Sequence, residues 1–205
     1  SDSTQSLYTG TTQSINVFYA MLEQQVGLCN VVRTAASMGL TRANGTSLFS
    51  RDGSQDSADN IPSFTLGSVN VSPLSMAAAY ATVAARGMYC APIAISKILD
   101  NRGKKMPVPS ANCHRAFSAQ VADAVSYILQ GVLTSGTAAT LGGRAGRQAA
   151  GKTGTSNVEG GGGTPYAVFA GYTPSLVGYV SVFNPVSPTG RTMTGYTACY
   201  RTESG

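Results

Sequence analysis

Residues 150–156 read Ala-Gly-Lys-Thr-Gly-Thr-Ser. A lysine, a hydroxyl, a residue without a side chain and a second hydroxyl, in that order on a strand edge, suit an anionic, peptide-like ligand lying against the backbone. The Lys152 ammonium supplies a positive field, the Thr153 and Thr155 hydroxyls can bond a carboxylate, and Gly154 leaves room for a second backbone. None of the serines in the 205 residues has a lysine three positions later. A nucleophilic serine with a lysine base one helical turn away is therefore not encoded in this sequence.

A second element lies at Ser14-Ile15-Asn16. The spacing alone carries little, because Ser68-Val69-Asn70 and Ser110-Ala111-Asn112 match it too. Only the first leads into a helix-period stretch, Val17, Phe18, Met21, Leu22 and Gln25, whose i, i+3, i+4 stripe predicts one buried face. A serine and an amide fixed at a helix start can be held toward a cleft. The plainer reading is that Ser14 or Asn16 is an N-cap of that helix.

The elements that must position these groups are legible in outline. A helix from about Asn16 is followed by one over about 29–37, ended by Gly39. Residues 41–66 lose all periodicity and predict a long surface loop. Ser72-Pro73 opens an alanine-rich helix that Gly87 closes, and a hairpin over 91–109 turns at 100–103. Ser118 caps a helix whose stripe Val121, Ala124, Val125, Ile128, Leu129 and Val132 predicts a core face. A linker over 134–148 leads to three short strands, around 149–155, 166–172 and 177–183, as in an antiparallel meander. The fold class is α+β, an antiparallel sheet packed with helices.

Composition narrows the function. Charged residues are 11%, with 14 Lys plus Arg against 9 Asp plus Glu, and the Gly-, Ala-, Ser- and Thr-rich surface reads as extracellular. The net charge of +5 would draw anionic partners such as cell wall only modestly. The basic residues are scattered, with only Lys104-Lys105 adjacent, which argues against nucleic acid. Four cysteines, Cys29, Cys90, Cys113 and Cys199, lack CxxC spacing, so neither zinc nor a redox centre is expected, and no cofactor is implied. His114 reads as an isolated, solvent-facing residue. Cys90 and Cys113 flank the predicted hairpin, so a disulfide between them is expected, whereas Cys29 and Cys199 pair or remain free thiols. No apolar run is long enough to span a membrane.

Five segments together carry a resemblance: Gln13-Ser-Ile-Asn-Val17, Leu22-Glu-Gln-Gln-Val-Gly27, Pro73-Leu-Ser-Met-Ala-Ala-Ala-Tyr-Ala-Thr82, Gly151-Lys-Thr-Gly-Thr155 and Phe169-Ala-Gly-Tyr-Thr-Pro174. In this order they resemble the transpeptidase domain of class A penicillin-binding proteins, most of all the actinobacterial kind. The likeness covers most of residues 5–185 and implies a single partial domain over 1–205, with 186–205 an unassigned tail. It also implies the penicillin-binding-protein/β-lactamase-like fold, incomplete on this chain, with the Ser-x-x-Lys segment and first strands on a separate or missing part. Where the family commonly has a tryptophan before the Phe-x-Gly-Tyr-Thr-Pro run, this chain has Ala167-Val168.

The resemblance implies serine acyl transfer on D-Ala-D-Ala stem peptides of peptidoglycan, with β-lactams as ligands. Ser14, Asn16 and Lys152 are the implied catalytic residues; Thr153, Gly154 and Thr155 are the implied substrate-binding residues. The implied partners are stem peptides, β-lactams and a complementary chain bearing Ser-x-x-Lys, with membrane association only through an N-terminal anchor. The implied location is the outer face of the cytoplasmic membrane or outside the cell. An alternative is a secreted, non-catalytic transpeptidase fragment that binds or inhibits another protein. A class A β-lactamase-like hydrolase is disfavoured, because no motif for a deacylating glutamate can be placed among Glu23, Glu159 and Glu203.

Overall fold

In a computed structural model the described residues are 4–50, 57–142, 146–156 and 164–183. They divide into two compact units, Ser1–Lys152 with Ala170–Tyr179, and Thr153–Phe169 with Val180–Gly205. Three helices open the first unit: α1 (Leu7–Thr12), α2 (Asn16–Val26) and α3 (Leu28–Ser37). The short α1 escapes hydrophobic periodicity, yet its start is written in a capping box: Ser6 Oγ accepts from Thr9 N at 3.1 Å and Thr9 Oγ1 accepts from Ser6 N at 2.9 Å.

The stretch predicted as a surface loop is instead half of a core. Leu48 and Ala58 are 0% exposed and join Val32 of α3, Phe64 and Val69 in one buried cluster. Two 3-10 turns, Ala58–Asn60 and Phe64–Leu66, carry these side chains inward. Their periodicity is neither 2 nor 3.6, which is why a pattern search sees only loop. Residues 51–56 of that stretch lie outside the described residues.

Two helices build a second core. Helix α4 (Pro73–Ala84) begins at Pro73 as expected, though Ser72 makes no side-chain cap bond. Helix α5 (Ala119–Thr134) is capped by Ser118, whose Oγ accepts from Val121 N. Its buried face is rotated from the predicted stripe: Ala122, Leu129 and Val132 are buried, while Val121 and Ala124 are exposed. On the side of Ala122 and Leu129, the Ser126 hydroxyl meets the Tyr172 hydroxyl at 2.8 Å. A similar rotation affects α2, where Val17 and Met21 are 69% and 58% exposed and Glu23 is buried. Glu23 is held inward by Thr65, whose N–H and hydroxyl both donate to its carboxylate.

Between α4 and α5 the chain makes two small ladders, β1 (Met88–Tyr89) with β4 (His114–Arg115) and β2 (Ile98–Leu99) with β3 (Lys105–Met106), both antiparallel. The predicted hairpin turn over 100–103 is present, with Asp100 Oδ1 accepting from the backbone N–H of Arg102 and Lys104. The ladder is much shorter than the predicted hairpin over 91–109: among the described residues it pairs only Ile98 with Met106 and Leu99 with Lys105. Cys90 and Cys113 are joined as a disulfide. Cys29 carries a free, exposed thiol, and Cys199 lies outside the described residues. His114 is exposed but not isolated: it packs on Tyr89, and its Nε2 lies 3.0 Å from the Ser37 carbonyl oxygen.

The predicted linker over 134–148 contains a further short helix, α6 (Ala139–Gly142), and Ala138 before it is buried. The predicted meander is present: β5 (Ala150–Ser156), β6 (Tyr166–Thr173) and β7 (Leu176–Phe183) lie in the order β5-β6-β7. Strand β5 is thus at an edge of this sheet. The two-residue connection after Thr173 compels β6 and β7 to run antiparallel.

Candidate functional site

Ser14 sits in the elbow between α1 and α2. Its N–H donates to the Thr11 carbonyl at 3.1 Å, and Ile15 N donates to the Gly10 carbonyl at 2.9 Å, so the chain reverses in two residues. That reversal puts Ser14 at φ 55°, a left-handed conformation that a residue with a side chain enters at a cost of order 1–3 kcal/mol. The elbow is overdetermined around it. Gly10 lets the Phe18 ring lie directly on α1, and the Thr11 hydroxyl meets the Tyr19 hydroxyl at 2.5 Å. The Thr12 carbonyl accepts from Thr137 N at 3.0 Å, fixing α1 to the segment after α5.

Neither Ser14 nor Asn16 is an N-cap: the cap position is Ile15, with no side-chain cap bond. Ser14 is therefore free of a capping duty, and its Oγ accepts a hydrogen bond from Lys152 Nζ at 2.8 Å. The two lie 138 positions apart in sequence. Lys152 is half-buried on β5, and burial holds its ammonium below the usual lysine range. Asn16 is the first residue of α2 and is exposed.

Thr153, Gly154 and Thr155 continue β5 within the second compact unit. Thr153 is partly buried and Thr155 exposed. At Gly154 a Cβ would stand 2.5 Å from Val168 Cγ2, so glycine there admits the neighbouring strand's valine. No tryptophan precedes Phe169, and Val168 fills that place.

A tyrosine cluster underlies the elbow. Tyr80 of α4 meets the Tyr172 ring at 6.3 Å, and burial, with Tyr172 and Tyr19 nearby, pushes its hydroxyl up to about 12. Tyr172 is tied to α5 through the Ser126 hydroxyl at 2.8 Å, and Tyr19 to α1 through the Thr11 hydroxyl. Sequence reading missed them, because single tyrosines scattered over three elements leave no spacing signal. Among the described residues no group of three or more His, Cys, Asp or Glu could hold a metal ion. Glu23 is committed to Thr65 and belongs to the framework.

A strand lysine bonded to the serine of a Ser-x-Asn elbow is the arrangement that the resemblance implies. The family model for the penicillin-binding protein transpeptidase domain matches residues 1–196. The chain belongs to this family. It is 34% identical over 179 residues to penicillin-binding protein 1F of Bacillus subtilis, covering 85% of this chain and 24% of that protein. It is 31% identical over 177 residues to penicillin-binding protein 1A of Mycolicibacterium smegmatis, covering 83% of this chain and 22% of that protein. These identities do not separate the actinobacterial kind from others.

Among solved structures, the fold matches the penicillin-binding protein PonA1 of Mycobacterium tuberculosis with a TM-score of 0.71 at 23% identity, covering 89% of this chain and 48% of that one. PonA1 in complex with penicillin V matches at a TM-score of 0.65 and 22% identity, covering 85% and 46%. The antiparallel sheets and helices are those of the penicillin-binding-protein/β-lactamase-like fold. The chain spans about a quarter of the length of these two curated relatives.

Proposed function

We propose that this chain is part of a peptidoglycan D,D-transpeptidase, a serine acyltransferase acting on D-Ala-D-Ala stem peptides and acylated by β-lactams. The observation that carries the reading is the 2.8 Å bond from Lys152 to Ser14, the two residues to which the motif resemblance assigns the same chemistry. The nucleophilic serine comes from a Ser-x-x-Lys segment outside these 205 residues, on the same polypeptide or on a complementary chain. The 205 residues then form one partial domain that works outside the cytoplasm, on the outer face of the cytoplasmic membrane or secreted, with membrane association only through an N-terminal anchor.

In this reading the serine oxygen attacks the penultimate D-alanine carbonyl, the peptide C–N bond breaks, and an acyl ester forms. Ser14, which can donate and accept at once, passes a proton to the departing amine. Lys152 keeps the Ser14 lone pair engaged, so its O–H points at the leaving group, and its charge favours the substrate's terminal carboxylate. Asn16 bonds the substrate amide. Thr153 and Thr155 hydroxyls take the carboxylate, while the substrate backbone lies along edge strand β5 at Gly154. The Thr155 N–H supplies half of the oxyanion hole, where loss of one donor typically costs on the order of a hundredfold to a thousandfold. The amine of a second stem peptide resolves the ester.

The test pairs this chain with a Ser-x-x-Lys-bearing polypeptide of the family and follows labelling by a fluorescent penicillin. The chain alone is expected to form no covalent adduct. In the restored complex, Lys152→Ala should lower the second-order acylation rate at least tenfold, equivalent to about 1.4 kcal/mol of transition-state stabilisation. Lys104→Ala should change it little. Equal effects of the two substitutions would remove the role assigned to Lys152.

A further inference from the structure

The two helices that meet at Ser14 are joined by side-chain bonds to which the acyl-transfer reading gives no role. Thr11, in the last turn of α1 and buried, donates its hydroxyl hydrogen to the Leu7 carbonyl at 2.6 Å. That hydrogen is committed, so in the 2.5 Å contact between the Thr11 and Tyr19 hydroxyls the Tyr19 O–H is the donor. The bond runs from the first turn of α2 back to α1, a strut across the elbow that holds Ser14. Helix α1 is the fixed side of this joint. At Gly136 a Cβ would stand 2.5 Å from the Thr12 carbonyl oxygen, so glycine admits that oxygen to the Thr137 N–H, which donates to it at 3.0 Å. Gln13 Nε2 adds a bond to the Ser135 carbonyl at 3.4 Å. One turn further along α2, Glu23 is held by Thr65, so Tyr19 is the anchor on the Ser14 side of that helix.

We infer that Thr11 and Tyr19 are positioning residues: their hydroxyl bond sets the angle between α1 and α2 and so aims Ser14 Oγ at Lys152 Nζ. The geometry stands by itself, while its consequence for acyl transfer rests on the transpeptidase reading above. Ser14 has its backbone at φ 55°, a conformation that persists only where the surroundings overdetermine it. The Thr11 carbonyl accepts from Ser14 N and its hydroxyl accepts from Tyr19, so Thr11 holds the elbow twice. Opening the angle between the helices would swing Ser14 about this point and lengthen its 2.8 Å bond from Lys152, which stands on β5 and does not move with α2. The strut can bias that geometry by no more than its own net worth, on the order of a fivefold change in population.

The experiment uses the complex of this chain with a Ser-x-x-Lys-bearing polypeptide, with 15N-lysine incorporated into this chain alone. Its lysines are Lys97, Lys104, Lys105 and Lys152, and Lys152→Arg assigns the resonance of interest. Two quantities are read: the acylation rate with a fluorescent penicillin, and the pH titration of the Lys152 Nζ resonance. Tyr19→Phe and Thr11→Val should each lower the rate by about fivefold, and together by no more than either alone, because both delete one bond. Each should also move the Lys152 titration to lower pH, since an ammonium that loses its acceptor on Ser14 gives up its proton more easily. In a Lys152→Ala background, Tyr19→Phe should change the rate by less than about twofold. Thr11→Ser keeps the hydroxyl and should match the unsubstituted complex in both readouts. Thr82→Val is the control for a merely structural loss, because buried Thr82 of α4 donates to the Ala78 carbonyl at 2.9 Å as Thr11 does to Leu7; it should move neither. An unmoved Lys152 titration in Tyr19→Phe would overturn the inference, as would additive losses from Tyr19→Phe and Thr11→Val or an equal loss from Thr82→Val. Failure of the transpeptidase reading looks different: Lys152→Ala would acylate as fast as the unsubstituted complex while Tyr19→Phe still moved the titration. That result would retain the strut and overturn its place in acyl transfer.

Discussion

Residues 41–69 and 91–112 are the two long excursions between helices, and their roles are the reverse of what pattern suggests. The first has no periodicity, yet it delivers Leu48, Ala58, Phe64 and Val69 to a buried cluster against α3. The second contains a recognisable hairpin, yet nearly every residue from 92 to 110 is exposed. Regular pairing is a statement about backbone hydrogen bonds, whereas stability follows the apolar area removed from water. The first excursion is also tied to the catalytic candidates: Thr65 holds Glu23 on α2, the helix that follows Ser14. The second has no such connection.

The strongest break of this contrast is Leu48→Ala. Leu48 is 0% exposed, and truncating a buried leucine costs about 2–5 kcal/mol, so a loss near 3 kcal/mol is expected by urea unfolding. A loss below about 1 kcal/mol would mean that this stretch is only a cover. Replacing both Cys90 and Cys113 by serine should cost less than that. The chain-entropy model sets an upper value of roughly 3 kcal/mol for the loop they close. The double variant should become susceptible to proteolysis within 91–112 first, and cleavage elsewhere first would contradict a separately closed loop.

Glu23→Ala is expected to cost about 1–3 kcal/mol, since it leaves the Thr65 N–H and hydroxyl without their acceptor. In the restored complex it should also slow acylation, because α2 loses the bond that fixes its orientation. Unchanged acylation alongside lost stability would separate the framework from the Ser14 elbow.

A pH profile sharpens the contrast further. Burial depresses the Lys152 pKa below the ordinary 10.5, so the charged form is disfavoured by folding and the proton leaves earlier as pH rises. If acylation needs the ammonium, its rate should fall as pH climbs through that lowered pKa. The alkaline limb should therefore lie below 10.5. Lys152→Ala should abolish the limb and Lys104→Ala should leave it in place. A limb retained in Lys152→Ala would assign it to another group.

Much of this was legible from local chemistry. The Ser118 cap, the Ser72-Pro73 helix start, the turn over 100–103 and the three closing strands all rest on a few adjacent residues, and all are present. The Cys90–Cys113 pairing was legible too, because the turn between them fixes their proximity. Faces were not legible. The sides that α2 and α5 turn inward carry Glu23 bonded to Thr65 and Ser126 bonded to Tyr172, bonds across 42 and 46 positions that no window along the chain contains. The Ser14–Lys152 juxtaposition was available only as two motifs of known partnership, while the left-handed Ser14 backbone that makes it was hidden.

The smallest expected effect belongs to Leu99→Ala. Leu99 is 47% exposed on a ribbon that no other strand pairs, so its removal takes little apolar area out of a buried environment. Substitutions at such positions usually fall within about 0.5 kcal/mol. Leu48 and Leu99 thus form a matched pair of leucine deletions, one in a stretch without pattern and one in a strand. If Leu99→Ala cost as much as Leu48→Ala in urea unfolding, the hairpin would be packed in solution. The contrast between the two excursions would then fail.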